Sequence, residues 1–416
     1  METEERVLTW DYPSEETSKC PYPFYAQLRE HDPVHRLETG EFLVSRWEDL
    51  DHVVRHPEIF ASGVGHLRAD YREAMAGAEA GDDAMFTPWP LPYSDPPEHR
   101  LKRTLCQPLF TRERMRDTEP LVRELVDELI DEFRDRGTCE FVTGFANRLP
   151  QRVMLTLFGL SRDEEERFAW MGTATEGPGI KFVSEEQKQR IVERSRTTVE
   201  FFRNEILDRR EHPRDDFLSE LVQMHVERDG ALDIRYLTAE ATNLFGAGNL
   251  TTGHMLSATL LALLEQPEEL RRAAEDPARI RYLIEESLRL ESPVQWVQRL
   301  VKRDTELGGV PIPEGSIVFI LFGSADRDGE RFPDEETFDP GRGNLIKDHV
   351  AFGRGPHRCV GAPLARLEGQ VAFEALLALP NLRLAGGDAV VHAPSPSGHF
   401  RGLDALRIAF DVPAAG

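Results

Sequence analysis

Phe352-Gly353-Arg354-Gly355-Pro356-His357-Arg358-Cys359-Val360-Gly361 is the run on which the reading of this chain turns. Its two glycines ahead of the cysteine permit backbone conformations closed to other residues and let amide groups approach a sulfur closely. Gly361 leaves room for a flat group against the backbone. Residues 362–379 read as a helix that stops before Pro380, so Cys359 sits near a helix N-terminus. Amide donors and the positive end of the helix dipole both favour a thiolate there. Arg358 and His357 are expected to add positive charge. A lone cysteine is usually just a small buried side chain; here the surrounding pattern reverses that preference.

Upstream, residues 326–358 are polar and broken by Gly and Pro. Ordinary domains do not keep so long a loop without a function for it, and this one ends on Cys359. Before it, Glu286 and Arg289 stand three apart on a helix face and can pair. A long apolar helix is expected over 238–266, with Gly246, Ala247 and Gly248 near its middle. Glycine in mid-helix costs about 1 kcal/mol relative to alanine, which calls for close packing or close passage over a ligand. Further back, the turn at Asp95-Pro96-Pro97 runs into a helix on which His99 and Arg103, four apart, share a face suited to carboxylates.

The remaining sequence is mostly helical by pattern. Leu121, Val122, Leu125, Val126, Leu129, Ile130 and Phe133 form an apolar stripe ended by Gly137. Amphipathic stretches cover 149–160 and 185–210, Pro267 opens a helix, and another spans 278–290. A hairpin is expected at 34–44, followed by a helix with Ser45-Arg46-Trp47-Glu48 as its capping box. Short strands flank Gly308-Gly309, and 317–322 suits a buried strand. Residues 63–97 read as a long loop of the kind that forms lids.

Composition bounds the function. In 416 residues, 74 acidic against 50 basic residues give a formal charge of -24, which repels nucleic acid and anionic lipid. No signal peptide and no membrane-length apolar run is legible, so a cytoplasmic protein without a membrane anchor is expected. Cys20, Cys106, Cys139 and Cys359 form no CxxC pair, which gives neither a disulfide framework nor a zinc site. No internal linker divides the chain, and residues 1–416 read as one domain.

The cysteine run resembles the ligand loop of the cytochrome P-450 family, Phe-Gly-x-Gly-x-His-x-Cys-x-Gly, at every specified position. Haem iron held by a Cys thiolate defines that family's ligation. The resemblance extends over nearly the whole chain and implies a mainly α fold with a smaller β region. The haem, expected as haem b, would lie between the long helix and the Cys359 loop. It further implies that Phe352, Gly353, Gly361 and Ala247 lie against the haem, and that His99, Arg103, Arg299 and His357 hold its propionates. Glu286, Arg289 and Arg342 would form a buried structural network. The family's Ala-Gly-x-(Asp or Glu)-Thr is matched at Ala247, Gly248 and Thr251, but Leu250 stands where the acid belongs. Thr251, with Gly248, Asn249 and Thr252, is therefore the candidate catalytic set, Asn249 standing as a candidate to hold a water in place of the acid. Phe86, Leu244, Val294, Trp296, Val297 and Phe400 are candidate substrate contacts, although an apolar residue in such a place is more often plain core.

The implied reaction is monooxygenation of a small apolar organic substrate, with electrons from a separate ferredoxin-type donor and its reductase. Arg100, Lys102, Arg354 and Arg358 make a candidate basic dock for that donor. Leu250 also leaves open a peroxide-driven haem oxygenase. A haem protein that only binds ligand, and a cysteine hydrolase pairing Cys359 with His357 or His399, are the remaining alternatives.

Overall fold

The computed structural model describes residues 12, 14–63, 90–169, 185–392 and 398–412. The lid-like loop falls largely outside these residues, as does Phe86; only its end is described, with a single 3-10 turn at Leu91–Tyr93.

The longer helices follow the apolar periodicity. They are α1 (Tyr22–His31), α2 (Trp47–Arg55), α3 (Glu98–Cys106), α4 (Arg112–Arg134), α5 (Arg148–Leu157), α6 (Glu185–Glu211), α7 (Phe217–Asp229), α8 (Ile234–Leu264), α9 (Pro267–Glu275), α10 (Ile280–Leu290) and α11 (Ala362–Leu376). α4 buries the expected stripe from Val122 to Phe133 and gives way, through Gly137 at φ 68°, to a strand. α8 is the expected long helix, 31 residues or about 45 Å. Asp233 caps it by accepting the Tyr236 N–H at 3.0 Å. α8 runs through the core, touched by α5, α6, α7, α9, α10 and α11.

The capping box expected for α2 does not form. The Ser45 hydroxyl instead donates to the Pro33 carbonyl at 3.1 Å, and the free Trp47 N–H is taken by Asp328 at 2.9 Å. A carboxylate from a segment 281 residues away serves as the cap, which no local pattern announces.

Strands make the smaller part: β1 (Val34–Arg36), β2 (Phe42–Val44), β3 (Phe60–Ala61), β4 (Thr138–Glu140), β5 (Trp296–Val301), β6 (Thr305–Leu307), β7 (Val310–Ile312), β8 (Ile317–Leu321), β9 (Arg383–Leu384), β10 (Val390–His392) and β11 (Leu403–Ala409). One sheet has the order β1-β2-β8-β5-β3, with β2 and β8 parallel and its other pairs antiparallel. A second has the order β10-β11-β4 with β9 also on β11, and β6 and β7 pair across Gly308 and Gly309.

Between β8 and α11 the chain forms no strand, as expected, and a buried ion network holds it. Arg289 is fully buried and binds Glu286 through two bonds of 2.8 and 2.9 Å. Its remaining donors reach the carbonyls of Asp326, Glu335 and Thr337 at 2.7 to 3.1 Å. Arg342 adds a 2.8 Å bond to Glu286 and bonds to the carbonyls of Asp334 and Thr337. The Asp339 N–H completes the set on Glu286 at 3.0 Å. The helix pair alone looks like a surface bridge of small value; the carbonyls turn it into a clamp from α10 onto the loop. Removing one partner of such a pair strands a buried charge, so Arg289→Ala is expected to cost about 3–5 kcal/mol in urea unfolding. An unchanged unfolding midpoint would show that the loop is braced elsewhere.

Candidate active site

The cysteine loop is shaped by its glycines. Gly353 and Gly355 take φ of 65° and 67°, and a Cβ on Gly355 would stand 2.9 Å from the Val54 carbonyl oxygen of α2. The Gly353 N–H bonds the Val350 carbonyl at 2.7 Å, and the Cys359 N–H closes the loop on the Phe352 carbonyl at 2.8 Å. Arg366 of α11 lies over the Phe352 ring at 4.4 Å while binding Glu285 of α10 at 2.7 Å through Nη2. Burial would raise Glu285, but hydrogen bonds from Arg366 and His349 outweigh it and hold the carboxyl at about 2.

Cys359 keeps accessible surface, while the chain packed around it is dense enough to desolvate its thiol. Burial pushes its thiol up, against the Gly361 and Ala362 amides and the Arg366 and Arg103 charges. The amides at the start of α11 therefore do act on the sulfur as the sequence suggests, without being sufficient. A metal cation held at the sulfur would supply what they lack, because a coordinating thiol is deprotonated outright. His357 does not contribute the expected charge: burial, then Arg299, His99 and Arg103, push it down to about 2. It bonds Ser62 Oγ at 2.9 Å rather than the cysteine, while His399 stacks on Trp296 at 4.5 Å. Neither of these contacts is to the Cys359 sulfur, whereas a cysteine hydrolase needs its base hydrogen-bonded to the nucleophile.

Beside the cysteine, the structure brings together all four residues assigned to carboxylates. The His99 and His357 rings lie 4.1 Å apart. Burial, followed by Arg103, pushes His99 down to about 4, and both its ring nitrogens are buried without a hydrogen bond. Arg103 donates to the Pro356 and Arg358 carbonyls, each at 2.9 Å. Arg299 is 8% exposed, and burial lowers it to about 10. Its single hydrogen bond among the described residues goes to the Gln298 carbonyl at 2.8 Å. Asp95, the carboxylate that acts on both Arg299 and His99, is engaged by the Ser62 N–H at 2.9 Å. Two arginines and two histidines thus converge without an ion pair among the described residues, and their chemistry fits a dianionic edge such as a pair of propionates. Ser62 was not legible as a site residue, since nothing near it in sequence marks a partner for His357.

On α8 the mid-helix residues divide by face. Ala247 is exposed and Thr251 half-buried, one turn apart on the same side, and the Thr251 hydroxyl donates to the Ala247 carbonyl at 2.8 Å. Leu250, half-buried, is near this side. Asn249 is about 200° round the helix from Ala247 at about 100° per residue. It is 5% exposed and both its amide atoms lack partners. It is therefore not placed to hold a water for Thr251. Thr252 is 4% exposed and turned toward the packed interior. Gly248 answers a packing need, since its Cβ would stand 3.2 Å from Met154 Sδ on α5. Of the candidate catalytic set, only Thr251 lies on the open side. Among the pocket candidates, Val294 and Phe400 form an isolated bridge, His399 stacks on Phe400 at 4.3 Å, and Leu244 is 7% exposed.

Behind the cysteine loop lies a pocket of about 310 Å³ lined by Arg55, Lys347, Arg354, Arg358 and Arg366, in a protein of charge -24. Lys102 does not belong to this surface: it is 5% exposed, bonding Ser94 Oγ at 2.7 Å and Glu98 at 2.5 Å. No helix among the described residues is long and apolar enough to cross a membrane.

The family model for Cytochrome P450 matches residues 180–390, which hold α8, the Glu286 network and the cysteine loop. The chain is 35% identical to the 6-deoxyerythronolide B hydroxylase of Saccharopolyspora erythraea, over 94% of this chain and 96% of that one. The chain belongs to the cytochrome P450 family. It is 32% identical to the Steroid C26-monooxygenase of Mycobacterium tuberculosis, over 93% of this chain and 92% of that one. The crystal structure of CalO2 superposes with a TM-score of 0.87 at 26% identity, covering 98% of this P450 and all of CalO2. The expected mainly helical P450 fold is thus established, and the protein is a haem-iron monooxygenase, an oxidoreductase.

Proposed function

We propose that this P450 works in the cytoplasm as one haem-b unit over residues 1–416, hydroxylating or epoxidising a small apolar organic molecule. The convergence beside Cys359 of two arginines and two histidines that form no ion pair among the described residues, with both His99 ring nitrogens buried without a hydrogen bond, carries this reading. Iron protoporphyrin with a thiolate ligand supplies dioxygen activation and oxygen transfer to the substrate. Cys359 is the iron ligand, and His99, Arg103, Arg299 and His357 hold the propionates. Gly353, Phe352 and Gly361 shape the surface on the cysteine side, and Ala247 keeps the α8 side flat. Thr251 holds a proton at Oγ1, steadied by the Ala247 carbonyl, for release toward the reacting centre. Leu244, Val294, Trp296, Val297 and Phe400, with Phe86 outside the described residues, exclude water and orient an apolar substrate. The 6-deoxyerythronolide B hydroxylase and the Steroid C26-monooxygenase are named for oxygen insertion into organic molecules, which supports that reaction class here.

Electrons come from a separate acidic ferredoxin-type donor with its reductase. Lys347 and Arg358 support this, because they line the pocket behind Cys359 without an ion pair among the described residues, while Arg55 and Arg354 pair with Asp51 and Arg366 with Glu285. Local positive charge on a strongly acidic protein steers an acidic partner to one face. Lys347→Glu combined with Arg358→Glu is expected to slow first-electron transfer at low salt by about tenfold and to flatten its salt dependence. Stopped-flow reduction under carbon monoxide measures both, and equal rates in variant and wild type move the dock to another face.

The ligation itself is tested by the reduced carbon monoxide adduct. Wild type is expected to give the red-shifted Soret band of sulfur-ligated haem, and Cys359→Ala to lose it. A band that survives the substitution removes Cys359 as the ligand.

Leu250 favours a second reading, in which peroxide drives the reaction and no acid is needed. Thr251→Ala separates the two. Under dioxygen-driven turnover it is expected to divert electrons from product into hydrogen peroxide, raising peroxide formed per reductant consumed several-fold. Unchanged coupling, together with faster turnover on added peroxide than on donor and dioxygen, favours the peroxide-driven reading.

A further inference from the structure

Two histidines with no part in the machinery above stand together at the end of α2. His52 is on the helix and His56 is the residue that ends it, four apart in the run His52-Val53-Val54-Arg55-His56. That spacing brings two side chains to one face. Their rings lie 4.4 Å apart, centre to centre, with planes inclined at 38°. Neither is sealed in the core: His52 is exposed and His56 half-buried. Both are nonetheless held in place. The His56 carbonyl accepts the Ile59 and Phe60 N–H groups, each at 2.9 Å, which fixes the turn into β3. The Phe60 ring meets the His52 ring edge-on at 6.3 Å.

Hydrogen bonding decides which nitrogen of His56 is available. Its Nδ1 lies 2.8 Å from Glu58 Oε1. A carboxylate there accepts the Nδ1–H of the neutral ring, which leaves the lone pair on Nε2. The same bond holds the Glu58 carboxyl below its usual range. A metal-bound histidine characteristically gives its second N–H to such a carboxylate, which orients the ring and strengthens the other nitrogen as a ligand. An ordinary surface ion pair would explain the Glu58 contact by itself. It gives no reason for a second imidazole against the first, with no hydrogen bond of its own among the described residues.

The separation of the rings bears on the ion. With metal–nitrogen bonds of about 2.0–2.1 Å and a nitrogen about 1.1 Å from its ring centre, each centre stands about 3.2 Å from the metal. Two such centres are about 4.5 Å apart at a right angle and about 5.2 Å apart at the tetrahedral angle. The observed 4.4 Å fits the right angle of a square-planar or octahedral ion. Imidazole ligands with that geometry suit Ni(II) and Cu(II). No three His, Cys, Asp or Glu side chains converge as a metal set among the described residues, so water completes the shell. We propose that His52 and His56 chelate a divalent nickel or copper ion, with Glu58 as the positioning carboxylate on His56. Because His56 lies beyond the last helical residue, the ion ties the end of α2 to the turn before β3. The same helix abuts Gly355 of the cysteine loop through its Val54 carbonyl.

Nickel chloride alone is the probe, titrated by calorimetry into tag-free, haem-loaded protein. Wild type is expected to show one saturable site. Removing an outer-shell partner typically weakens a metal site about 10–100-fold, and Glu58→Gln is expected at the lower end, about tenfold. His52→Gln and His56→Gln each remove a ligand and are expected to weaken binding at least as much. His212→Gln, which removes an exposed histidine paired with Asp208, is expected to hold affinity within about twofold. The reduced carbon monoxide spectrum is recorded on every sample. His52 and Glu58 are exposed, so their variants are expected to match wild type in it, which separates a lost ligand from a lost fold. The proposal is overturned by a wild type without a saturable site, or by wild-type affinity in His52→Gln, His56→Gln or Glu58→Gln. An equal loss in His212→Gln overturns it as well.

Discussion

Burial and charge pull in opposite directions on the Cys359 sulfur, and much of the molecule is arranged around that conflict. Its position among packed chain raises the thiol, while two amides at the start of α11 and the charges of Arg366 and Arg103 lower it without prevailing. Such a sulfur is inert as a free nucleophile and becomes an anion when a metal cation meets it.

Holding the sulfur there takes structure from three directions. Gly353 and Gly355 let the chain turn where a side chain would strain or strike Val54. Arg289 and Arg342, both fixed on Glu286, bind the carbonyls of a loop that has no ladder of its own. Arg366 links Phe352 of the loop to Glu285 of α10, so both helices grip it. The loop is long and irregular, yet few of its backbone acceptors are left to chance.

The other face of the site follows a different logic. Ala247 and Thr251 are on the open side of α8 because the helix is buried on its remaining sides, with Gly248 pressed against Met154. A helix so enclosed can expose only a narrow stripe, and each residue on that stripe is a choice about chemistry. Leu250, near that stripe, stands where the family's acid belongs.

The sequence by itself determined the family, the long central helix, the hairpin at 34–44 and the membership of the ion network. Each of these depends on spacing along one stretch of chain: a ten-residue motif, a run of apolar residues, or a pair three apart. Only the tertiary structure decided which way side chains face and what surrounds them. It turned Asn249 and Thr252 away from the open side, made His357 neutral, buried Lys102 against Ser94 and Glu98, and gave the cap of α2 to Asp328. A helix pattern fixes rotation only relative to neighbours the pattern does not name, and protonation depends on burial and on charges brought from distant segments.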